Sequence, residues 1–428
     1  MTLTALPGQP QLAYRGDTLF LEEVRLSDLA ARYGTPLFAY SKASMLSALA
    51  AYQRGFAGRD AQICYAMKAN SSLGVLQVFA RAGCGFDIVS AGELKRVIAA
   101  GGDPRKVIFS GVGKTRAEMR TALEAGIGCF NVESTAELEV LHEVATELGT
   151  QAPVSIRVNP NVDPQTHPYI STGLKGNKFG VAHEETVATY QRAASLSGLR
   201  VVGIDCHIGS QITQESPYLD AMDRILDLVA AIEAAGVPRL QHIDFGGGLG
   251  IDYQGDTPPA ADALWAQLLA KIDARGYGDR KLMIEPGRSL VGNAGVCLTE
   301  VLYLKPGEQK NFCIVDAAMN DLPRPAMYQA WQAIVPLERT PDAAERPAYD
   351  VVGPICESGD WIGRDRHLGP VQAGDRLAVL SAGAYCMSMS SNYNTRGRAA
   401  EVLVDGDQVH LIRERESAED TFHKERLV

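Results

Sequence analysis

The sequence has no surplus of basic residues: 41 Lys and Arg stand against 51 Asp and Glu, a formal net charge of −10. Nucleic-acid and anionic-membrane partners need clustered positive charge, so the balance points to small soluble partners. The opening Met-Thr-Leu-Thr-Ala-Leu-Pro-Gly lacks the basic and apolar parts of a leader. No uninterrupted apolar run approaches the ~20 residues that span a bilayer. Both absences predict a cytoplasmic chain without membrane attachment. Cysteine pairs at redox or metal spacing are missing as well. The 8 cysteines (Cys64, Cys84, Cys129, Cys206, Cys297, Cys313, Cys356 and Cys386) lie far apart, with no Cys-x-x-Cys and no Cys/His ligand set. No metal site is expected from them, and most should be reduced core residues. Internal repeats and low-complexity stretches are also absent.

What remains is an ordinary globular composition, 46% apolar and 21% charged, over 428 residues, a length that favours two domains. Residues 11–24 read as a hairpin with Arg15-Gly16-Asp17 at its turn, and a short helix follows over Ser27–Tyr33. From there to about residue 290, short apolar runs alternate with stretches of helical spacing, such as Leu73, Leu76, Phe79 and Ala80, or Leu226, Leu228, Ile232 and Ala235. The runs are Ile63–Met67, Phe86–Val89, Val107–Ser110, Cys129–Val132, Val154–Val158, Val201–Ile208, His242–Phe245 and Leu282–Ile284. Ser90 and Ser134 stand where helix caps belong, the second in a Ser-Thr-Ala-Glu capping box. Eight such units predict an α/β fold with a (β/α)8 TIM barrel. An open doubly wound sheet also fits the alternation, but it usually has fewer strands. After Leu290 the runs Val296–Leu304, Phe312–Val315, Tyr349–Val352, Arg376–Leu380 and Val402–Arg413 predict an all-β domain. Asp405-Gly406-Asp407 is its hairpin turn, Met319–Ile334 a loop and then a short helix, and Pro341–Arg346 an exposed loop.

A barrel gathers its chemistry at the C-terminal ends of its strands. Read in order, those ends carry Lys68; Asp87 with Ser90; Ser110; Asn131 with Glu133; Arg157 with Asn159; His207 with Ser210; Gly246-Gly247-Gly248; and Glu285 with Arg288. Taken singly, each has an ordinary explanation: a strand-capping lysine, a core histidine, a solvated glutamate, a tight glycine turn. Together and in this order they suggest a site. Lys68 is the candidate amine nucleophile. The glycine loop of residues 244–250 follows strand seven, where this fold usually cradles a phosphate on backbone N–H groups. Glu285-Pro286-Gly287-Arg288 adds donors and an arginine. A phosphate, a reactive lysine and a nearby carboxylate point to pyridoxal 5′-phosphate: Lys68 would bond its aldehyde carbon, Glu285 would keep the ring nitrogen protonated, and His207 would lie flat against the ring.

Further motifs are Tyr65-Ala-Met-Lys68-Ala-Asn, His207-Ile-Gly-Ser-Gln211, Cys356-Glu-Ser-Gly-Asp360 and Gly383-Ala-Tyr385, with His167-Pro-Tyr-Ile-Ser-Thr-Gly173, Asn177-Lys-Phe-Gly180 and Asp316 to Tyr328. With these, residues 30 to 400 or so resemble the alanine-racemase-like (fold type III) PLP-dependent decarboxylases, and within them the diaminopimelate branch. Gln332 departs from the histidine often found there. The resemblance implies a barrel inserted in a β-domain: residues 1–36 as N-terminal strands of that domain, 37–290 as the PLP-binding barrel and 291–428 as the C-terminal β-domain. It implies a homodimer, each active site completed by Cys356 and Glu357 of the other subunit. Asp87, His207, Ser210, Gly246, Gly247, Gly248, Glu285, Pro286, Gly287, Arg288 and Tyr385 resemble cofactor contacts beside Lys68. Arg288, Arg324, Tyr328, Glu357 and Tyr385 resemble substrate contacts. The implied reaction converts meso-2,6-diaminopimelate to L-lysine and CO2, the last step of lysine biosynthesis, with Cys356 as proton donor unless it is an ordinary interface cysteine. Relatives acting on ornithine, arginine or carboxynorspermidine are the rivals, as is a non-catalytic relative that binds proteins. Retention of Lys68, His207, Glu285 and Cys356 argues against the last.

Overall fold

Parallel strands covered on both faces read as continuous apolar runs, and eight such runs build one sheet here. The computed structural model of the chain describes residues 6–163, 166, 177–339 and 347–428. The His167–Gly173 motif and the Pro341–Arg346 loop lie outside them. The strands are β1 Ala61–Ala66, β2 Gly85–Ile88, β3 Val107–Phe109, β4 Cys129–Val132, β5 Ala152–Asn159, β6 Leu199–Cys206, β7 His242–Asp244 and β8 Lys281–Ile284. Each pairs in parallel with the next, and β8 returns to β1 through Leu282↔Ala61, Met283↔Gln62 and Ile284↔Ile63. The sheet is therefore a closed eight-stranded barrel; an open sheet would leave β1 and β8 as edges.

Helices between the strands bury one stripe each. Along Ser216–Ala234 that stripe is Tyr218, Met222, Ile225, Val229 and Ile232, at the three- and four-residue steps of an amphipathic helix. Thr115 caps Arg116–Ala125 in a closed capping box with Glu118, and Gly126 ends the helix at φ 69°, where a Cβ is costly. The box expected at Ser134 differs. Ser134 Oγ does accept from Glu137 N at 3.2 Å, but the Glu137 carboxylate accepts from Glu133 N at 2.9 Å and from Lys114 Nζ at 2.7 Å. A buried ammonium is a stronger partner than the cap's own N–H.

The barrel belongs to a compact unit of Leu49–Gly250 and Thr257–Ser289; a second unit comprises Met1–Ala48, Ile251–Asp256 and Leu290–Val428. The second unit holds a mixed sheet ordered Trp361–His367, Ala348–Val352, Asn311–Val315, Gly295–Lys305, Leu37–Ser41, Ala400–Asp405, Gln408–Arg413, with Arg376–Val379 also paired to Gly295–Lys305 and Ile334–Pro336 paired to Arg376–Val379. Leu37–Ser41, which the sequence places at the start of the barrel segment, is a fully buried strand of this sheet, antiparallel to Gly295–Leu298 and parallel to Ala400–Val404. Covered on both faces, it shows no alternation that could assign it. Trp361–His367 escaped notice for the opposite reason, since Arg364, Asp365, Arg366 and His367 give it the composition of a loop. The hairpin of Leu12–Arg15 and Thr18–Leu21 turns where expected and forms its own small sheet with Val24–Arg25. It buries Leu12, Leu19 and Leu21 in one core with Leu26, Leu298 and Val402. Each such side chain contributes about 1.5–3 kcal/mol when fully buried.

Candidate active site

β1 ends at Ala66, and a single 3-10 turn, Met67–Ala69, carries Lys68 just past the strand. Ala66 N donates to Pro286 O at 3.0 Å, which ties this turn to the loop after β8. Lys68 Nζ meets Asp87 Oδ2 at 2.5 Å; the Asp87 side chain is fully buried, whereas that of the lysine is 37% exposed. The amine is thus held by an acid yet open to an incoming ligand.

Three acids line the same end of the barrel. Asp205 ends in register with Asp244 on the neighbouring strand, and one carboxylate oxygen each from Asp205, Asp244 and Glu285 lies within 4.8 Å of the others. All three are buried. Glu285 Oε1 accepts from Asn131 Nδ2 at 3.1 Å, and Asn131 also donates to Ser110 Oγ at 3.2 Å. Asp244 Oδ1 accepts from Gly246 N at 2.8 Å. Asp205 Oδ1 and Asp244 Oδ2 have no hydrogen-bond partner among the described residues. Burial, and then repulsion from Asp87 and the other two acids, pushes Glu285 well above the usual carboxylate range. Burial and Asp205 do the same to Asp244; burial moves Asp205 up to about 7, against the pull of Arg157. Like charges so close and so dry cannot all ionise, so the cluster holds protons at neutral pH.

Glu133 is paired instead. It accepts from Arg157 Nη1 at 3.1 Å, from Gly111 N at 2.9 Å and from Gly180 N at 3.0 Å. His207 follows β6, and its Nδ1 accepts from Gly247 N at 3.2 Å. Desolvation, with Arg157 and Lys68 nearby, pushes the imidazole pKa far down, so the ring is neutral.

The loop after β7 admits only glycine. A Cβ on Gly246 would lie 2.4 Å from Cys206 O, on Gly247 2.2 Å from Glu285 O, and on Gly248 2.5 Å from Gly209 O. Gly246 and Gly248 also have φ of 65° and 107°. Next to this loop, Arg288 Nε and Nη2 donate to Ser210 Oγ at 3.2 and 3.0 Å. A bare backbone cradle with a guanidinium, a neutral imidazole, an accessible amine and a protonated carboxyl fit the phosphate, ring face, aldehyde and ring nitrogen of pyridoxal phosphate.

The remaining candidates lie in the second unit. Arg324 is 7% exposed, its Nη1 has no partner among the described residues, and its guanidinium lies 4.6 Å from the centre of the Tyr253 ring. Tyr328 ends the helix Pro323–Tyr328. Cys356 is exposed while the other cysteines are buried. Its N–H donates to Asn394 Oδ1 at 2.9 Å, and Glu357 beside it accepts from Tyr393. Tyr385 holds a φ of 57°, a left-handed position uncommon for a bulky residue. Gln332, the departure from the branch, is buried and donates to Leu380 O and Ser381 O at 3.0 and 3.1 Å, fixing the chain ahead of Gly383-Ala-Tyr385.

Sequence reasoning missed Asp205, Asp244, Tyr253 and Asn394. For the two aspartates a signal existed: each is an acid inside an apolar strand run, where only a paired or functional acid belongs.

A site of this make-up, on a closed barrel, is that of a pyridoxal-phosphate enzyme. A family model described as pyridoxal-dependent decarboxylase, pyridoxal binding domain, matches residues 42–292. The chain is 57% identical over 416 residues to the diaminopimelate decarboxylase of Pseudomonas aeruginosa, covering 97% of this chain and 99% of that one. The crystal structure of diaminopimelate decarboxylase from M. jannaschii in co-complex with L-lysine aligns with a TM-score of 0.93 at 36% identity, over 99% of both chains. That from Helicobacter pylori complexed with L-lysine aligns at 0.87 and 40% identity, over 92% of this chain and 98% of that one. Among the pyridoxal-dependent decarboxylases, the chain belongs to the diaminopimelate decarboxylase family.

Proposed function

We propose a division of labour among these residues in the decarboxylation of meso-2,6-diaminopimelate to L-lysine and CO2, the reaction by which this chain completes lysine biosynthesis. Pyridoxal phosphate, when bound, supplies an aldehyde carbon for the substrate amine and a ring that takes up the electron pair left by CO2. Lys68 would hold that carbon, and Asp87, whose Oδ2 lies 2.5 Å from Nζ, would orient the lysine amine. Glu285, oriented by Asn131, would pair with the ring nitrogen and keep a proton on it. His207 would cover one ring face and, being neutral, would add no charge to compete with that proton. Gly246, Gly247, Gly248, Ser210, Gly287, Arg288 and Tyr385 would hold the phosphate. Arg324, with Arg288 and Tyr328, takes the carboxylate at the far end of the substrate, and Glu357 takes the ammonium there. Cys356 Sγ gives a proton to the carbon that lost CO2. The exposure of Cys356 and Glu357 supports a homodimer in which they serve the partner's barrel. No described helix is long and apolar enough to cross a membrane.

Arg324 is the observation that carries the substrate choice. A buried guanidinium with an unmet donor calls for a carboxylate, and leaving it bare costs several kcal/mol by order of magnitude. Ornithine ends in an ammonium alone and supplies none. Steady-state kinetics with diaminopimelate, ornithine and arginine therefore should favour diaminopimelate by at least ~100-fold in kcat/KM. Comparable values for ornithine would overturn the substrate assignment.

A further inference from the structure

We infer that Tyr253 is a positioning residue for substrate choice: its ring carries the Arg324 guanidinium and keeps its N–H edge turned to the substrate's distal carboxylate. The inference rests on the reading that Arg324 takes that carboxylate.

The backbone around Arg324 leaves little to adjust. Pro323 and Pro325 flank it, and all three residues are buried at the start of the helix Pro323–Tyr328. Two rigid pyrrolidine rings fix the local chain, so the aim of the guanidinium depends on what its long side chain rests against. That support is Tyr253, at 4.6 Å from the ring centre to the guanidinium carbon. Tyr253 is 6% exposed and Arg324 7%, so the contact is desolvated, where a cation held over an aromatic face is most strongly attracted. A guanidinium resting on a ring has its face covered and its N–H edge left over. Here Nη1 has no partner among the described residues, and an edge is what bidentate carboxylate binding uses.

The loop that presents the ring is itself braced. Tyr253 N donates to Asp256 Oδ2 at 3.2 Å and Gly255 N to Asp252 Oδ1 at 2.6 Å, so two acids of the segment Ile251–Asp256 close it into a turn. The phenol ring is thereby held by backbone geometry, as a support must be. A purely structural tyrosine would also be buried, but among the described buried arginines Arg324 is the one that leaves a terminal Nη donor unmet, whereas Arg280 and Arg366 leave only Nε.

The test compares two ligands of the holoenzyme by calorimetry. L-lysine keeps the distal carboxylate and ammonium of the substrate, and cadaverine lacks the carboxylate. Tyr253→Leu should weaken L-lysine about tenfold while cadaverine changes less than about twofold. Tyr253→Phe, which keeps the ring, should bind both ligands as the wild type does. In turnover, Tyr253→Leu should raise KM for diaminopimelate by a similar factor with kcat nearly unchanged. Equal weakening of both ligands, or of neither, would overturn the proposal, as would a phenylalanine variant that behaves like the leucine one. Tyr253→Met supplies the same comparison should the leucine variant lose its fold. Arg324→Ala separates the two readings. If it leaves the lysine preference intact, the role of Arg324 fails and that of Tyr253 with it. If it removes the preference while Tyr253→Leu does not, Tyr253 alone is overturned.

Discussion

The barrel unit treats its charges in two different ways. On its outer helices acids and bases come matched: Arg192 with Glu139 at 2.6 Å, Arg116 with Glu143 at 2.5 Å, Arg54 with Asp262 at 3.0 Å. Solvent screens such pairs, and they add little to stability. At the C-terminal mouth of the strands Lys68 meets Asp87 and Arg157 meets Glu133, but Asp205, Asp244 and Glu285 form no ion pair among the described residues. Burying three unmatched acids works against folding. The difference teaches that the outer charges are dispensable decoration of a soluble surface, whereas the inner ones are kept for what they do to protons.

Changing the inner group should have the largest effect. Glu285→Gln preserves shape and the contact with Asn131 but cannot hold or hand over a proton, so kcat should fall by roughly 100-fold or more while the cofactor stays bound. Single-turnover kinetics with a cofactor absorbance scan check both halves; an unchanged kcat would mean that the inner acids are no more functional than the outer ones. Smaller, but specific, is the expected recovery when inactive Lys68→Ala and inactive Cys356→Ala subunits are mixed. Hybrid dimers would contain one intact site, giving up to about a quarter of wild-type activity after subunit exchange if the second unit serves the partner's barrel.

The third comparison is in stability. Asp205 has a folded pKa raised to about 7, against about 3.9 for an unfolded aspartate. Its stabilising share is therefore complete below pH ~4 and lost as pH rises through about 7. His207, whose folded pKa is depressed, has the opposite sign, but it is common to both proteins compared. In thermal melts of the cofactor-free protein, the Tm of Asp205→Asn minus that of the wild type should grow from pH 5 to pH 8. A gap that stays flat would show Asp205 to be already paired. The smallest effect belongs outside: Arg192→Ala should leave turnover unchanged and move Tm by no more than about 2 °C.

The barrel was legible because buried parallel strands advertise themselves as apolar runs, and Lys68, His207, the glycine loop and Glu285 because they stand at the ends of those runs. Asp205 and Asp244 were visible as residues but not as a pair. Their proximity exists only once β6 and β7 lie side by side, a relation between strands that neither strand's sequence contains. Tyr253 beneath Arg324 is likewise a contact between distant stretches of the chain. Leu37–Ser41 could not be placed because a strand covered on both faces has no period that names its sheet.

The central claim is that the chemistry is organised around Lys68 at the mouth of the barrel, and covalent mapping tests it most directly. Borohydride reduction of the holoenzyme, proteolysis and mass spectrometry should place the reduced cofactor on Lys68 alone, and Lys68→Ala should lose both the adduct and nearly all turnover while keeping its fold. A stoichiometric adduct on any other lysine, or full turnover in Lys68→Ala, would contradict the account.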